Sequence, residues 1–299
     1  MLQDISVYYL DYSNSSKKKI YSMSGARTPI WLNGREYFIV STCLRYEIYV
    51  FDNLGKQSGY HHAMSTCALE RLLRLMCGLE SEIKGEKTEI INQVERGIRN
   101  GYEKQTLSLP RTRALLKLLG FANALRKEYS ITHNENYSTI AANMATEYLL
   151  TKTNPTVLVI GAGYMSRIFL EHIPIEEMNL IWINRNIKNI YANHADILKR
   201  PRNTKIYSLS KIDTQLQYAD LIFTAIHSSR SKKLTVNSDL NNKKIIDISY
   251  PVIFNDNHEG VYNLENTKFS LYLLRPLANS VITKANNEIS KYTRRYYGD

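Results

Sequence analysis

Cys43 sits in Ser41-Thr-Cys-Leu-Arg-Tyr-Glu47, directly after Glu36-Tyr-Phe-Ile-Val40, an apolar and aromatic run that reads as a buried strand. A thiolate can take an acyl group from an ester, and a cation two residues on, Arg45, favours thiolate over thiol. Cys67 and Cys77 fall instead inside a helical apolar pattern, where a cysteine acts as a small hydrophobe. No pair is spaced as C-x-x-C, so neither a disulfide framework nor a metal site is expected.

The second chemical feature is a glycine turn. Thr156-Val-Leu-Val-Ile160 is a continuous apolar run, as in a parallel strand buried on both faces. It runs into Gly161-Ala-Gly163-Tyr-Met-Ser166, and a helical pattern begins at Tyr164. A dinucleotide site needs this order: a strand, a tight turn that lets backbone approach a pyrophosphate, and a helix whose first amides face the anion. Gly161, Ala162, Gly163, Tyr164, Met165 and Ser166 are therefore cofactor-binding candidates, with Ser166 where a third glycine often stands. The next apolar run ends in Ile183-Asn-Arg-Asn186, without the acidic residue that would hold an NAD ribose. Arg185 is available for a 2′-phosphate, which favours NADPH over NADH; the alternative is that it only solvates a strand end.

Elements that position these groups follow from periodicity. Strand-like runs occupy Ser6 to Asp11, Tyr37 to Ser41 and Glu47 to Asp52. Helical patterns follow from Ser65 or Thr66 as cap, from Lys87 to Asn100, from Thr112 to Tyr129 and from Ser138 to Thr151. His61 and His62 read as loop histidines able to enter a site or simply be solvated. Beyond the break at Thr153-Asn-Pro155, apolar runs at Leu180–Ile183, Leu221–Ala225 and Ile245–Ile248 alternate with stretches long enough for crossover helices. The expected fold is α/β: an N-terminal α/β catalytic domain over 1–135, a Rossmann-like, doubly wound NADP-binding domain over 136–270, and a short C-terminal helix in 271–299.

With 299 residues, 43% hydrophobic and 22% charged, the chain has the balance of a folded soluble protein of about two domains. No leader pattern and no apolar stretch of ~18 residues is visible, so a cytoplasmic protein without a membrane partner is expected. The excess of 39 Lys and Arg over 28 Asp and Glu, a formal +11, suits either a polyanion such as nucleic acid or a plain basic surface.

Taken in order, these segments resemble the glutamyl-tRNA reductase family. Its signature S-T-C-N-R-x-E reads here Ser41-Thr-Cys-Leu-Arg-Tyr-Glu47. Its downstream segment, R-x-x-x-G-L-x-S-x-x-x-G-E then I-x-x-Q-V, reads Arg74 to Glu86 and then Ile90 to Val94. G-A-G-x-M, N-R, A-D-x-x-x-x-A and I-D-I-x-x-P match Gly161–Met165, Asn184-Arg185, Ala219–Ala225 and Ile246–Pro251.

The resemblance implies that Cys43 attacks the ester of glutamyl-tRNA(Glu), that NADPH reduces the enzyme thioester, and that glutamate-1-semialdehyde leaves. This would be the first step of tetrapyrrole (5-aminolevulinate, porphyrin) biosynthesis by the five-carbon route. Thr42, Leu44, Arg45, Ser81, Glu86 and Gln93 fall on positions that surround the glutamyl group, whose carboxylate Arg45 would grip through two parallel hydrogen bonds; for Arg45 an ion pair with Glu47 is the other reading, and for Ser81 a helix cap. The partner aminomutase that takes the semialdehyde is implied as well. Three departures stand out. The family's N-H-x-T-A-P is Tyr9 to Ser16 here, its asparagine after the cysteine is Leu44, and its helical histidine falls on Arg71, which cannot accept a proton. A cationic Arg71 would act on the thiol's pKa or on an oxyanion. The alternative is a catalytically weakened paralogue that binds glutamyl-tRNA or NADPH in a regulatory role. The family continues through a long spine helix into a dimerisation domain, whereas this sequence stops soon after the spine would begin; a truncated spine is expected, in a monomer or in a pair formed through another surface.

Overall fold

The computed structural model describes residues 2–298 apart from 12, 25–27, 43–44, 81–88, 132–135, 227–239, 241, 250–251, 255–258 and 265–276. Cys43, Leu44, Ser81 and Glu86 lie outside the described residues. The chain divides into two compact units, Met1–Asn134 with Pro276–Asp299, and Glu135–Arg275.

The first unit is built on an antiparallel sheet of order β2-β3-β1-β4, from β1 (Ile5–Asp11), β2 (Tyr37–Ser41), β3 (Arg45–Phe51) and β4 (His61–Met64). Successive side chains point to opposite faces of a strand. Ile5, Val7, Phe38, Val40 and Tyr49 accordingly face the helices α2 (Ser65–Met76), α3 (Glu89–Glu103) and α4 (Leu109–Glu128). Tyr8, Leu10, Tyr46, Ile48 and Val50 form a second cluster with Ile20 of α1 (Lys17–Ser24) and Leu32. The sequence reading missed α1 and β4. β4 is an edge strand, paired only along β1 among the described residues, and its His-His-Ala-Met has no apolar alternation to announce it. His61 and His62 are thus strand residues rather than loop residues. α2 begins at Ser65 with Met64 in the cap position and no side-chain cap, so neither Ser65 nor Thr66 caps it.

The other edge of the sheet is covered by α3. Gly97 and Gly101, one helical turn apart, let the helix backbone lie on β2; a Cβ at Gly97 would stand 2.4 Å from the Ile39 carbonyl oxygen. Tyr37 N–H donates to Thr106 O at 2.7 Å just beyond the helix, closing the same edge.

The second unit is a six-stranded parallel sheet of order β10-β9-β8-β5-β6-β7. Its strands are β5 (Thr156–Ile160), β6 (Asn179–Asn184), β7 (Asn203–Ser208), β8 (Leu221–Thr224), β9 (Lys244–Asp247) and β10 (Val261–Asn263). The order reverses between β5 and β8, the doubly wound arrangement in which ligands bind at the carboxyl ends of the strands. The apolar runs at β5, β6, β8 and β9 were legible in the sequence; β7 and β10 were not, because they are the edges. α5 (Tyr137–Leu149) opens with a capping box from Asn136 and Thr139, and α6 (Tyr164–His172) and α7 (Ile187–Asn193) follow β5 and β6. α8 (Ile212–Leu216) precedes β8, and α9 (Asn279–Tyr297) belongs to the first unit, where Thr293 Oγ1 donates to Glu70 Oε1 at 3.1 Å. Among the described residues no helix is long and apolar enough to cross a membrane.

Candidate functional sites

In the first unit the residues flanking Cys43-Leu44 are fixed. Thr42 N–H donates to Arg45 O at 2.9 Å, and Ser41 pairs with Tyr46 in the β2–β3 register. The Arg45 side chain, buried, donates from Nη1 to Glu47 Oε1 at 2.8 Å and from Nη2 to the Glu80 carbonyl. The second bond ties the start of β3 to the stretch leading into Ser81. The ion pair with Glu47 is therefore present, and the guanidinium is held by protein groups.

Glu47 is fully buried and accepts three bonds: from Arg45, from Arg71 Nη2 at 2.8 Å, and from Tyr49 Oη at 2.6 Å. Burial pushes its pKa up, but the Arg71 and Arg45 charges and the Arg71 and Tyr49 hydrogen bonds outweigh that and hold the carboxyl below its ordinary range. Arg71, on α2, also donates to Asp11 Oδ2 at 2.7 Å, lies 3.7 Å from Glu80 Oε2, and stacks 3.6 Å above the Tyr9 ring. Arg74 completes the set with a 2.6 Å bond from Nε to Glu80 Oε1. Three carboxylates (Asp11, Glu47, Glu80) thus meet three guanidinium groups (Arg45, Arg71, Arg74). Chemically this is a charge-balanced framework, buried at Arg45, Glu47 and Asp11 and open to solvent at Arg74, that fixes the strand after Cys43 and leaves Arg71 a permanent cation, its pKa raised because Glu47 outweighs burial.

Asp11 and Glu80 were missed by sequence reasoning. Asp11 comes opposite Arg45, and Tyr9 opposite Glu47, only through the β1–β3 register, and no local pattern marks Glu80. His61 stands beside Tyr9 (5.6 Å between rings), whereas His62 stacks on Tyr8 (4.5 Å) of the opposite face. Gln93 is a half-exposed residue of α3, and Thr42 is half-buried. A cavity of about 250 Å³ opens between the β2 edge and α3, with Ser41, Tyr46, Asn100 and Lys104 in its wall. Cys77, at the end of α2, is buried, and burial pushes its thiol up to about 12; Cys67 is exposed.

In the second unit Gly161 to Ser166 form the turn between β5 and α6. Gly161 has φ +109°, and a Cβ there would stand 2.6 Å from Ala225 O at the end of β8, so glycine is required. Gly163, the cap of α6, has no atom within 4 Å of where a Cβ would be, so the space above it is open. The helix makes its first bond from Arg167 N–H to Gly163 O at 3.2 Å, and the amides ahead of it look out of the helix end. Ser166 Oγ is buried without a hydrogen-bond partner among the described residues. An open glycine cap, outward amides and an unused hydroxyl fit a pyrophosphate. Tyr164 is exposed, and Met165 accepts a 3.1 Å bond from Ser138. Arg185, exposed at the end of β6, pairs with no described residue. Under the turn, Trp182 Nε1 donates to Gly161 O at 2.6 Å and His194 Nε2 lies 3.1 Å from Ala162 O. At the same sheet edge Asp247 accepts from Thr224 Oγ1 and from the amides of Ser249 (2.9 Å), Ile253 (2.6 Å) and Phe254 (3.0 Å), which fixes the loop after β9.

Family models match both units in order: Glutamyl-tRNAGlu reductase, N-terminal domain, over residues 14–129, and Shikimate / quinate 5-dehydrogenase over residues 142–269. The chain is 28% identical over 258 residues to the glutamyl-tRNA reductase of Synechococcus sp. (strain CC9605), covering 72% of this chain and 58% of that protein. It is 29% identical over 268 residues to that of Synechococcus sp. (strain WH7803), covering 76% and 59%. The chain is similar to glutamyl-tRNA reductases across both units, in order. It spans under three fifths of the length of these curated family members (58% and 59%). The solved glutamyl-tRNA reductase from Methanopyrus kandleri has the same fold, with a TM-score of 0.51 at 17% identity over 99% of this chain and 80% of that one. The two matched models fall on the two units in turn, the antiparallel-sheet unit first and the doubly wound unit second.

Proposed function

We propose that the protein reduces glutamyl-tRNA(Glu) to glutamate-1-semialdehyde with NADPH, and so opens tetrapyrrole synthesis in the cytoplasm. The observation that carries this reading is the ordered pair of units, a cysteine-bearing α/β unit followed by a doubly wound unit with an open glycine turn. In this proposal Cys43 as thiolate attacks the ester carbonyl, the tRNA terminal hydroxyl leaves with a proton, and the glutamyl group stays as a thioester. NADPH, when bound, supplies the hydride that reduces the thioester carbonyl; collapse of the resulting hemithioacetal returns the Cys43 thiolate and releases the aldehyde.

Thr42, Leu44, Arg45, Ser81, Glu86 and Gln93 are proposed to surround the glutamyl group. Arg45 then acts chiefly by holding the strand beside Cys43, since its bonds to Glu47 and Glu80 occupy the guanidinium. Residues 1–135 would bind glutamyl-tRNA, 136–270 the NADPH, and 271–299 would begin the spine. Gly161, Ala162, Gly163, Tyr164, Met165 and Ser166 would hold the pyrophosphate and Arg185 the 2′-phosphate. The semialdehyde would pass to an aminomutase.

A second reading is favoured by one observation, the commitment of Arg71 to Asp11, Glu47 and Glu80. No proton acceptor stands at that position, as a weakened paralogue that binds glutamyl-tRNA or NADPH in a regulatory role would have it. The two readings separate in one assay: purified protein with glutamyl-tRNA and NADPH, scored for semialdehyde and for a covalent glutamyl adduct. The reductase reading expects both from the wild type and neither from Cys43→Ser. Binding of glutamyl-tRNA without adduct or product, in wild type and variant alike, selects the regulatory reading.

A further inference from the structure

The glycine turn is held from beneath by two ring N–H groups. Trp182, fully buried in β6, donates from Nε1 to Gly161 O at 2.6 Å, and His194, buried just after α7, places Nε2 3.1 Å from Ala162 O. A carbonyl only accepts, so Nε2 of His194 carries the proton. The two rings lie 5.0 Å apart, and His194 Nδ1 is buried without a partner among the described residues, so the imidazole is committed to this single bond. In a planar trans peptide the C=O and N–H point to opposite sides. Pulling the Gly161 carbonyl toward Trp182 therefore turns the Ala162 N–H away from it, and pulling the Ala162 carbonyl toward His194 turns the Gly163 N–H away as well. Neither amide has a hydrogen-bond partner among the described residues, and the space above Gly163 is open.

We propose that Trp182 and His194 are positioning residues that set the anion-binding direction of the Ala162 and Gly163 amides, and that dinucleotide affinity depends on their two N–H groups. The inference rests on the proposed assignment of this turn to NADPH. Neither residue touches the cofactor; each acts by fixing a peptide plane, which preorganises the amides before the pyrophosphate arrives.

The test is NADPH binding by calorimetry to the full chain and to Trp182→Phe, His194→Leu and His194→Gln. Gln retains a donor near the Nε2 position, whereas Phe and Leu keep apolar bulk and donate nothing. Trp182→Phe and His194→Leu should each weaken NADPH about tenfold, the equivalent of one lost buried hydrogen bond, while His194→Gln stays within about threefold of wild type. Wild-type affinity in folded Trp182→Phe and His194→Leu overturns the proposal, as does a loss in His194→Gln equal to that in His194→Leu. Should these variants not fold, amide NMR of the wild type decides: titration with inorganic pyrophosphate must shift the Ala162 and Gly163 amides, and a titration that moves neither overturns the proposal. A wild type that binds pyrophosphate through these two amides but not NADPH leaves the inference standing and removes the NADPH reading.

Discussion

Arg71 Nη2 donates to Glu47 Oε1 across 2.8 Å, joining α2 to the strand that begins two residues after Cys43. Glu47 is fully buried, and its only other cation among the described residues is Arg45. Removing Arg71 leaves this carboxylate and Asp11 under-compensated.

Arg71→Met should therefore destabilise the first unit by about 3–5 kcal/mol at pH 7, the usual cost of breaking a buried pair from one side. The sign with pH follows from the carboxyls. At Glu47, burial is outweighed by the Arg71 and Arg45 charges, and at Asp11 by Ser13 and Arg71, so both folded pKa values lie below the unfolded ones. Their contribution is fully present above the unfolded value, near pH ~4, and is lost as pH falls through the folded values. Urea midpoints at neutral pH and near pH ~3.5 should show the gap between wild type and Arg71→Met shrinking in acid. An equal gap at both pH values would count against the network.

Two glycines in neighbouring helices should respond with opposite signs. Gly97→Ala pushes a methyl to within 2.4 Å of Ile39 O and forces α3 off the β2 edge; a loss of about 1–3 kcal/mol is expected. Gly120→Ala, on the open side of α4 with nothing within 4 Å, removes only a helix-weakening residue and should add about 1 kcal/mol. Thermal denaturation of the pair checks this. Because β2 leads into Thr42, Gly97→Ala should also lower turnover, and Gly120→Ala should not.

With Arg185 on the 2′-phosphate as proposed, Arg185→Ala should cost NADPH roughly 10- to 100-fold in affinity, the loss of one charge-assisted bond, and leave NADH nearly unchanged. Comparison of the two dinucleotides by calorimetry decides it. Equal losses for both would remove Arg185 from the 2′-phosphate.

Native Cys77 should resist alkylation. With its thiol pushed up to about 12 by burial, only about one molecule in ten thousand is thiolate at pH ~8. Iodoacetamide followed by peptide mass analysis should mark exposed Cys67 in the folded protein and Cys77 only after denaturation.

The sequence by itself determined the parts whose signal is local. Thr156 to Ile160 is apolar at every position but the first because β5 is buried on both faces, and Gly161 is required by a turn of +φ that closes against Ala225. The interior strands and long helices were legible for the same reason: one element's burial writes its own periodicity. What only the tertiary structure decided is pairing across elements. Edge strands β4, β7 and β10 have no apolar run because they are covered on fewer sides. Arg45 was legible as a cation beside a cysteine, but its partners Glu47 and Glu80, and the meeting of Arg71 with Asp11 sixty positions away, depend on β1, β3 and α2 folding onto one face. Trp182 lies within the apolar run Leu180–Ile183 and nothing local singles out His194; their grip on two carbonyls exists only once β6 and the end of α7 lie under the turn. A chain lists its charges and donors in one dimension, and burial in three dimensions makes most of those it encloses find a partner.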